Sequence, residues 1–304
     1  VEAAREREGT PGENARFTRL DGRPATVGGA SVLRLLPRAA KRTIGPWCFF
    51  DHFGPGGIGA PMTVGPHPHI GLQTVTWLLD GHGVHSDSLG NVVDLRPGEL
   101  NLMTAGHGVV HAEIGEEAVS GHGVQLWIAQ PERTRHGPPA FVHHSQLPTL
   151  RVGDLTATIL LGTFGTTDAP AVAATPAVGV DLSGGGRATV PLDPTYEHGI
   201  ALLSGEAHLD RTPLVPGAIF WSGPGPTTVE IAASADARIL LLGGAPFVEE
   251  VLMWWNFVAR TREEIDAAWR AWNEHDPRFG EVRSTLARID VDPPTWMPRP
   301  ESGR

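Results

Sequence analysis

The run His67-Pro-His-Ile-Gly-Leu-Gln-Thr-Val-Thr-Trp-Leu-Leu-Asp-Gly81 decides the fold class. From Leu72 to Leu79 it is rich in β-branched and aromatic residues, which suit a pleated strand. It stops at Asp80-Gly81, a turn pair. The same texture extends outward. Val32 to Leu36 lies upstream. Downstream come Val92 to Leu95, halted by Arg96-Pro-Gly-Glu99, then Leu100 to Met103, Val109 to Ile114 and Gly123 to Ile128. Short strands with Gly and Pro punctuation read as a β-sandwich or barrel. The 38 glycines and 27 prolines among 304 residues supply the turns that such a fold needs.

Near Pro148 the chain resets. Leu155 to Leu161 opens a second β-rich block, and short apolar segments recur to Leu242. Leu202-Leu-Ser-Gly-Glu206 followed by Val215-Pro-Gly-Ala218 echoes Leu78-Leu-Asp-Gly-His82 followed by Arg96-Pro-Gly-Glu99, which suggests a duplicated β unit. Thr261-Arg-Glu-Glu264 is a capping box, with Glu264 placed to return to the Thr261 amide. Ile265, Ala268, Trp269 and Trp272 then form one apolar helical stripe. The expected division is a mobile lead over 1–25, a first β domain over 26–148, a second over 149–260, and a helix with a tail over 261–304.

Composition narrows the function. The formal charge of −10 disfavours direct nucleic-acid binding. The single cysteine, Cys48, excludes disulfide scaffolds and thiolate metal clusters. No apolar run is long enough to span a membrane, and the charged first ten residues do not resemble a secretory signal, so a cytoplasmic protein is expected.

Eleven of the 14 histidines lie between His52 and His144. In a strand, residues two apart share a face. His67 and His69 can therefore reach one point, and so can His111 and Glu113. Three neutral imidazoles and one carboxylate suit a divalent first-row metal and leave positions open on an octahedral ion. His82 and His85, beside a Gly turn, read either as exposed loop histidines or as groups that support the metal ligands from behind, His107 as a candidate at the pocket mouth, and His143-His144 as a solvated loop.

His67-Pro-His-Ile-Gly-Leu-Gln-Thr-Val-Thr-Trp77 and Met103-Thr-Ala-Gly-His-Gly-Val-Val-His-Ala-Glu113 resemble the two signature stretches of the pirin family. Asp51-His-Phe-Gly54, Asp87-Ser-Leu-Gly90, Arg96-Pro-Gly-Glu99 and Gly123-Val-Gln-Leu-Trp127 extend the resemblance in the same order. It covers roughly Gly28 to Phe257 and implies an all-β bicupin: two cupin barrels and a C-terminal helix. It further implies one metal in the N-terminal barrel, held by His67, His69, His111 and Glu113. Iron(II) is the implied metal, with manganese, nickel, copper, cobalt or zinc as substitutes. Gln73 stands where cupin motifs usually carry Glu, and His107 where many pirins have Arg. In the second barrel, Tyr196-Glu-His198 lacks ligand partners, so no metal is expected there.

The resemblance implies two activities. One is quercetin 2,3-dioxygenase chemistry, in which dioxygen cleaves a flavonol ring. Glu113 would then be the catalytic base as well as a ligand, and Phe50, Phe53, Met62 and Trp77 candidate pocket walls. The other is a non-enzymatic, iron-dependent regulator that binds a transcription factor or a metabolic enzyme, with the basic segment Arg34, Arg38, Lys41 and Arg42 as its surface.

Overall fold

A computed structural model describes residues 16–54, 63–115 and 121–297. Two seven-stranded antiparallel sheets form the centre. The first runs, in spatial order, Ala140–His144, Leu100–Thr104, Leu72–Asp80, His122–Ala129, Trp47–Phe53, Ala30–Leu36, Arg23–Val27. The second runs Thr18–Asp21, Ala218–Ser222, Glu197–Ser204, Arg238–Gly244, Ala177–Ser183, Leu155–Leu161, Thr149–Val152. Each large sheet is accompanied by a four-stranded one. That of the first half is Val64–His69, Val109–Gly115, Gly83–Asp87, Val92–Leu95, and that of the second is Gly186–Pro191, Thr228–Ala233, Ala207–Leu209, Thr212–Pro213. The matched pairs of sheets carry the internal duplication that the turn motifs suggested. The protein is an all-β bicupin with one α-helix among the described residues.

The chain crosses from one large sheet to the other between His144 and Thr149. One expectation is corrected at the N-terminus. The lead assigned to 1–25 contains Thr18–Asp21, which pairs with Ala218–Ser222 of the far sheet, and the beginning of Arg23–Val27. Alternation is weak in these short segments, and Thr18–Asp21 pairs with a strand roughly 200 residues away in the chain, so local pattern could not show it. Residues 1–15 lie outside the described part.

The two large sheets pack face to face. Phe50, Val75, Trp77, Leu100, Val124 and Leu126 meet Leu160, Ala201, Leu203, Ile219, Leu240 and Leu242. These residues alternate along their strands, as one buried sheet face requires. Polar links pin the contact: Trp77 donates its indole N–H to Asp181 at 3.0 Å, a carboxylate also held by Arg238 of its own sheet, and Lys41 meets Glu197 at 2.5 Å.

The helix spans Arg262–Asn273 with Thr261 as its cap, whose hydroxyl accepts from the Glu264 amide. The Glu264 carboxylate accepts from the Arg260 amide at 2.8 Å, one residue earlier than a capping box predicts. Arg135 holds the other side of that carboxylate and draws it there. Ile265, Ala268 and Trp272 bury against Val110, Phe257 and Phe279, and so clamp the helix beside the strand that carries His111. Among the described residues, no helix is long and apolar enough to cross a membrane.

Candidate metal centre

His67 and His69 lie on Val64–His69, and His111 and Glu113 on Val109–Gly115. The two strands are antiparallel neighbours, with His67 opposite His111. Two-residue periodicity then points three imidazoles to one side. Their ring centroids lie 4.3 to 5.0 Å apart, and His69 Nε2 is 3.0 Å from His111 Nε2. Gly71 makes the turn after His69 possible. It sits at φ +68°, and a Cβ there would lie 2.1 Å from the Val258 carbonyl oxygen. Any side chain would push away the hairpin Leu252–Ala259 that covers the site.

That hairpin and the local backbone fix the ring tautomers. His67 donates Nδ1–H to the Gly65 carbonyl at 2.8 Å, and His69 donates Nδ1–H to the Asn256 carbonyl at 3.1 Å. Each leaves an Nε2 lone pair facing inward. His111 directs Nδ1 at His85 Nδ1, 3.4 Å away, and His85 Nε2–H meets Asp87 at 3.1 Å. A carboxylate–imidazole–imidazole line of this kind orients a ligand from behind. Three buried Nε2 lone pairs converging on one point repel one another unless a cation lies between them, so the residues present fit a divalent metal. Burial drives His67 down to about 4, and drives His69 and His111 well below the usual imidazole value. All three are neutral at pH 7, the form that ligates metals.

Glu113 is placed differently. The neighbouring strand Val64–His69 carries one extra residue between His67 and Val64, where the pairing slips, and the Glu113 carboxylate groups with His85 and His111 rather than with His67 and His69. Burial raises the Glu113 carboxyl, while His85 and the Thr76 hydroxyl pull it back. Glu113 nonetheless lines the same cavity as the three histidines. That cavity is about 560 Å³ and is also walled by Arg23, Arg34, Phe49, Asp51, Gln125, Trp127, Met253 and Trp255. Phe49 stacks on Trp127 at 4.0 Å, and Trp127 meets His69 edge-on at 5.2 Å. Trp255 adopts φ +51°, rare for a bulky side chain and typical of functional sites.

Several expectations change. His85 is no loop histidine: it is buried on Gly83–Asp87, opposite Glu113, and stacks on Phe141. Its signal was His85-Ser-Asp87, a further pair two residues apart. Phe50 and Trp77 pack between the sheets and do not line the metal cavity, because their parity on the strands faces the second barrel. Phe53 lines a small apolar cavity behind Glu113. Met62 lies outside the described residues. His107 is exposed, with its ring held by the Gly137 carbonyl. His143 and His144 belong to the edge strand Ala140–His144, and His143 bonds Asn101 at 2.8 Å. Gln73 is buried and bonds Thr104 and the Ala174 amide, which ties the barrels together. The basic run disperses too, with Arg34 bound to Asp51 and Lys41 to Glu197. In the second barrel His198 is buried, and neither histidine–carboxylate cluster includes it.

Comparison with known proteins agrees with this architecture. The Pirin family model matches residues 29–128, and the Pirin C-terminal cupin domain matches 177–280. A Pseudomonas aeruginosa protein, named as a proposed quercetin 2,3-dioxygenase, is 42% identical over 285 residues, covering 91% of this chain and 90% of its own. The chain belongs to the pirin family. A pirin-like protein of Caulobacter vibrioides is 33% identical over 93% of this chain and 98% of its own. The crystal structure of a quercetin 2,3-dioxygenase from Acinetobacter baumannii superposes with a TM-score of 0.87 at 40% identity, covering 93% of this pirin and 97% of that chain.

Proposed function

We propose that this pirin is a metal-dependent dioxygenase acting on a flavonol-type substrate, with His67, His69, His111 and Glu113 as ligands and iron(II) as the working metal. The observation that carries the reading is the convergence of three neutral, tautomer-fixed imidazoles at the floor of an aromatic-walled cavity. The kinship with proteins bearing the quercetin 2,3-dioxygenase name supports the choice of substrate.

A divalent metal held there supplies Lewis acidity toward a substrate oxygen and, as iron, electrons for dioxygen chemistry. The protein does the rest. Trp127 and Phe49 line the cavity beside His69 and give an apolar aromatic wall against which a ring can pack. The Glu113 carboxylate, raised by burial, accepts the proton of the flavonol 3-hydroxyl. His85, opposite Glu113, and Thr76 receive that carboxyl when it turns from the substrate. The hairpin Leu252–Trp254 and Phe257–Ala259 closes one side through Met253 and Trp255 and excludes water.

The test is oxygen uptake on flavonols by anaerobically purified protein of known metal content. Turnover that tracks iron content supports the enzyme. A fully loaded protein inert toward every flavonol overturns it.

A further inference from the structure

The metal cavity carries a charge arrangement that the dioxygenase reading does not use. Arg23 and Arg34 are direct partners across the antiparallel strands Arg23–Val27 and Ala30–Leu36, and both line the cavity that holds the histidines. Their situations differ. Arg34 is committed: it grips Asp51 in a two-pronged ion pair at 2.8 and 2.7 Å, and its guanidinium lies 4.5 Å over the Phe49 ring. Asp51 is 2% exposed, so that pair is a fixed, neutral part of the wall. The Arg23 side chain is exposed and makes no hydrogen bond or ion pair among the described residues, its charge reaching Asp51 only at longer range. The cavity therefore has an unspent cation at its solvent end and buried histidines at the other, in a protein of net charge −10. Between the ends lies an aromatic wall: the Arg34 guanidinium over Phe49, Phe49 stacked on Trp127, and Trp127 edge-on to His69.

We propose that the cavity selects planar aromatic substrates that bear an anionic group, a carboxylate or sulfonate, remote from the end that meets the metal, and that Arg23 is the specificity-determining residue. This refines the dioxygenase reading and rests on it for the orientation of the ring. A guanidinium presents a planar fork matched to two acceptor oxygens. Arg34 cannot serve, because Asp51 fills its fork. Its held position keeps Phe49 flat and leaves Arg23 as the free donor set. An uncharged flavonol still finds the aromatic wall but leaves Arg23 to water.

The experiment uses iron(II)-loaded protein under nitrogen, where binding is separated from turnover. Dissociation constants are read by quenching of tryptophan fluorescence for two pairs of probes: quercetin with its 5′-sulfonate, and 1-naphthol with its 4-sulfonate. In the wild type at low salt the sulfonates bind about two- to fivefold more tightly than their parents, a Coulombic gain discounted for a partly solvated site. The advantage shrinks as salt rises. Arg23→Gln abolishes it and leaves the uncharged parents unchanged, and Arg23→Lys restores part of it. Arg23 is exposed and unbonded, so the variants fold. Equal affinity of both members of each pair in the wild type, or an advantage that survives Arg23→Gln, overturns the proposal. If the naphthol pair shows the Arg23-dependent preference while neither quercetin probe binds, the charge selection stands and the flavonol assignment falls. If quercetin is bound and turned over with no preference for charge, the converse holds.

Discussion

Replacing His52 with Gln should flatten the acid limb of the stability profile. His52 is 4% exposed on Trp47–Phe53, and its Nε2 lies 3.0 Å from His122 Nε2. The pair faces the contact between the barrels. His122 feels Arg238 and Asp181 of the second barrel and Asp80 of its own, and meets the Leu203 carbonyl. Burial, with His122 adding to it, lowers His52 from 6.5 to about 4. A histidine lowered in the folded state takes up its proton more readily once unfolded. Its contribution is thus complete above pH 6.5 and is lost as pH falls from there toward about 4. Integrating the proton difference between about pH 7.5 and about pH 5 gives roughly 2 kcal/mol from this one group, about a 30-fold change in the folded-to-unfolded ratio. Gln at this position still bonds His122 but carries no proton in this range. The assay is equilibrium urea unfolding at several pH values, for wild type and variant saturated with the same metal. The metal ligands do not include His52, so their own pH dependence cancels in the comparison. The loss of stability on acidification should be smaller in the variant by about 2 kcal/mol. Parallel profiles would show that His52 titrates normally and that the contact between the barrels is hydrated at this point.

His69→Ala should deplete bound metal strongly on elemental analysis while His198→Ala leaves it unchanged; equal loss from both would place the site wrongly. Glu113→Gln keeps a neutral oxygen donor but loses the base, so metal binding should weaken yet remain measurable. Metal-corrected flavonol turnover should fall by about 100-fold or more, with partial recovery at higher pH as the substrate ionises. His85→Phe preserves the stack on Phe141 but breaks the Asp87–His85–His111 line, and competitive chelation should show about 10- to 100-fold weaker metal binding. Phe257→Ala empties a fully buried position beneath the site and should cost about 3–5 kcal/mol in urea unfolding.

Much of the centre was legible in one dimension. Strand periodicity is strictly two, so His67-Pro-His69 needed nothing beyond its strand to present two rings on one face; His111 joined them only through the pairing of two antiparallel strands. The β class followed from the spacing of turns, and the cap at Thr261 from four consecutive residues. These are local consequences of backbone geometry. What tertiary structure decided were the relations that strand parity and register set between distant segments. Trp77 and Phe50 had the aromatic character of pocket walls, but their faces meet the second barrel, and no local pattern says which side of a two-sided strand becomes the cavity. Pairing of Val109–Gly115 with Gly83–Asp87 set Glu113 opposite His85 and made a buried partner of a residue whose Gly-rich neighbourhood suggested a loop. Arg34 and Lys41 looked like one basic surface until folding delivered Asp51 to the first and Glu197, 156 residues further along, to the second. Sequence sets which groups a strand can offer on each face; only the packed sheets determine what those faces meet, because burial and charge pairing depend on neighbours that the chain brings together last.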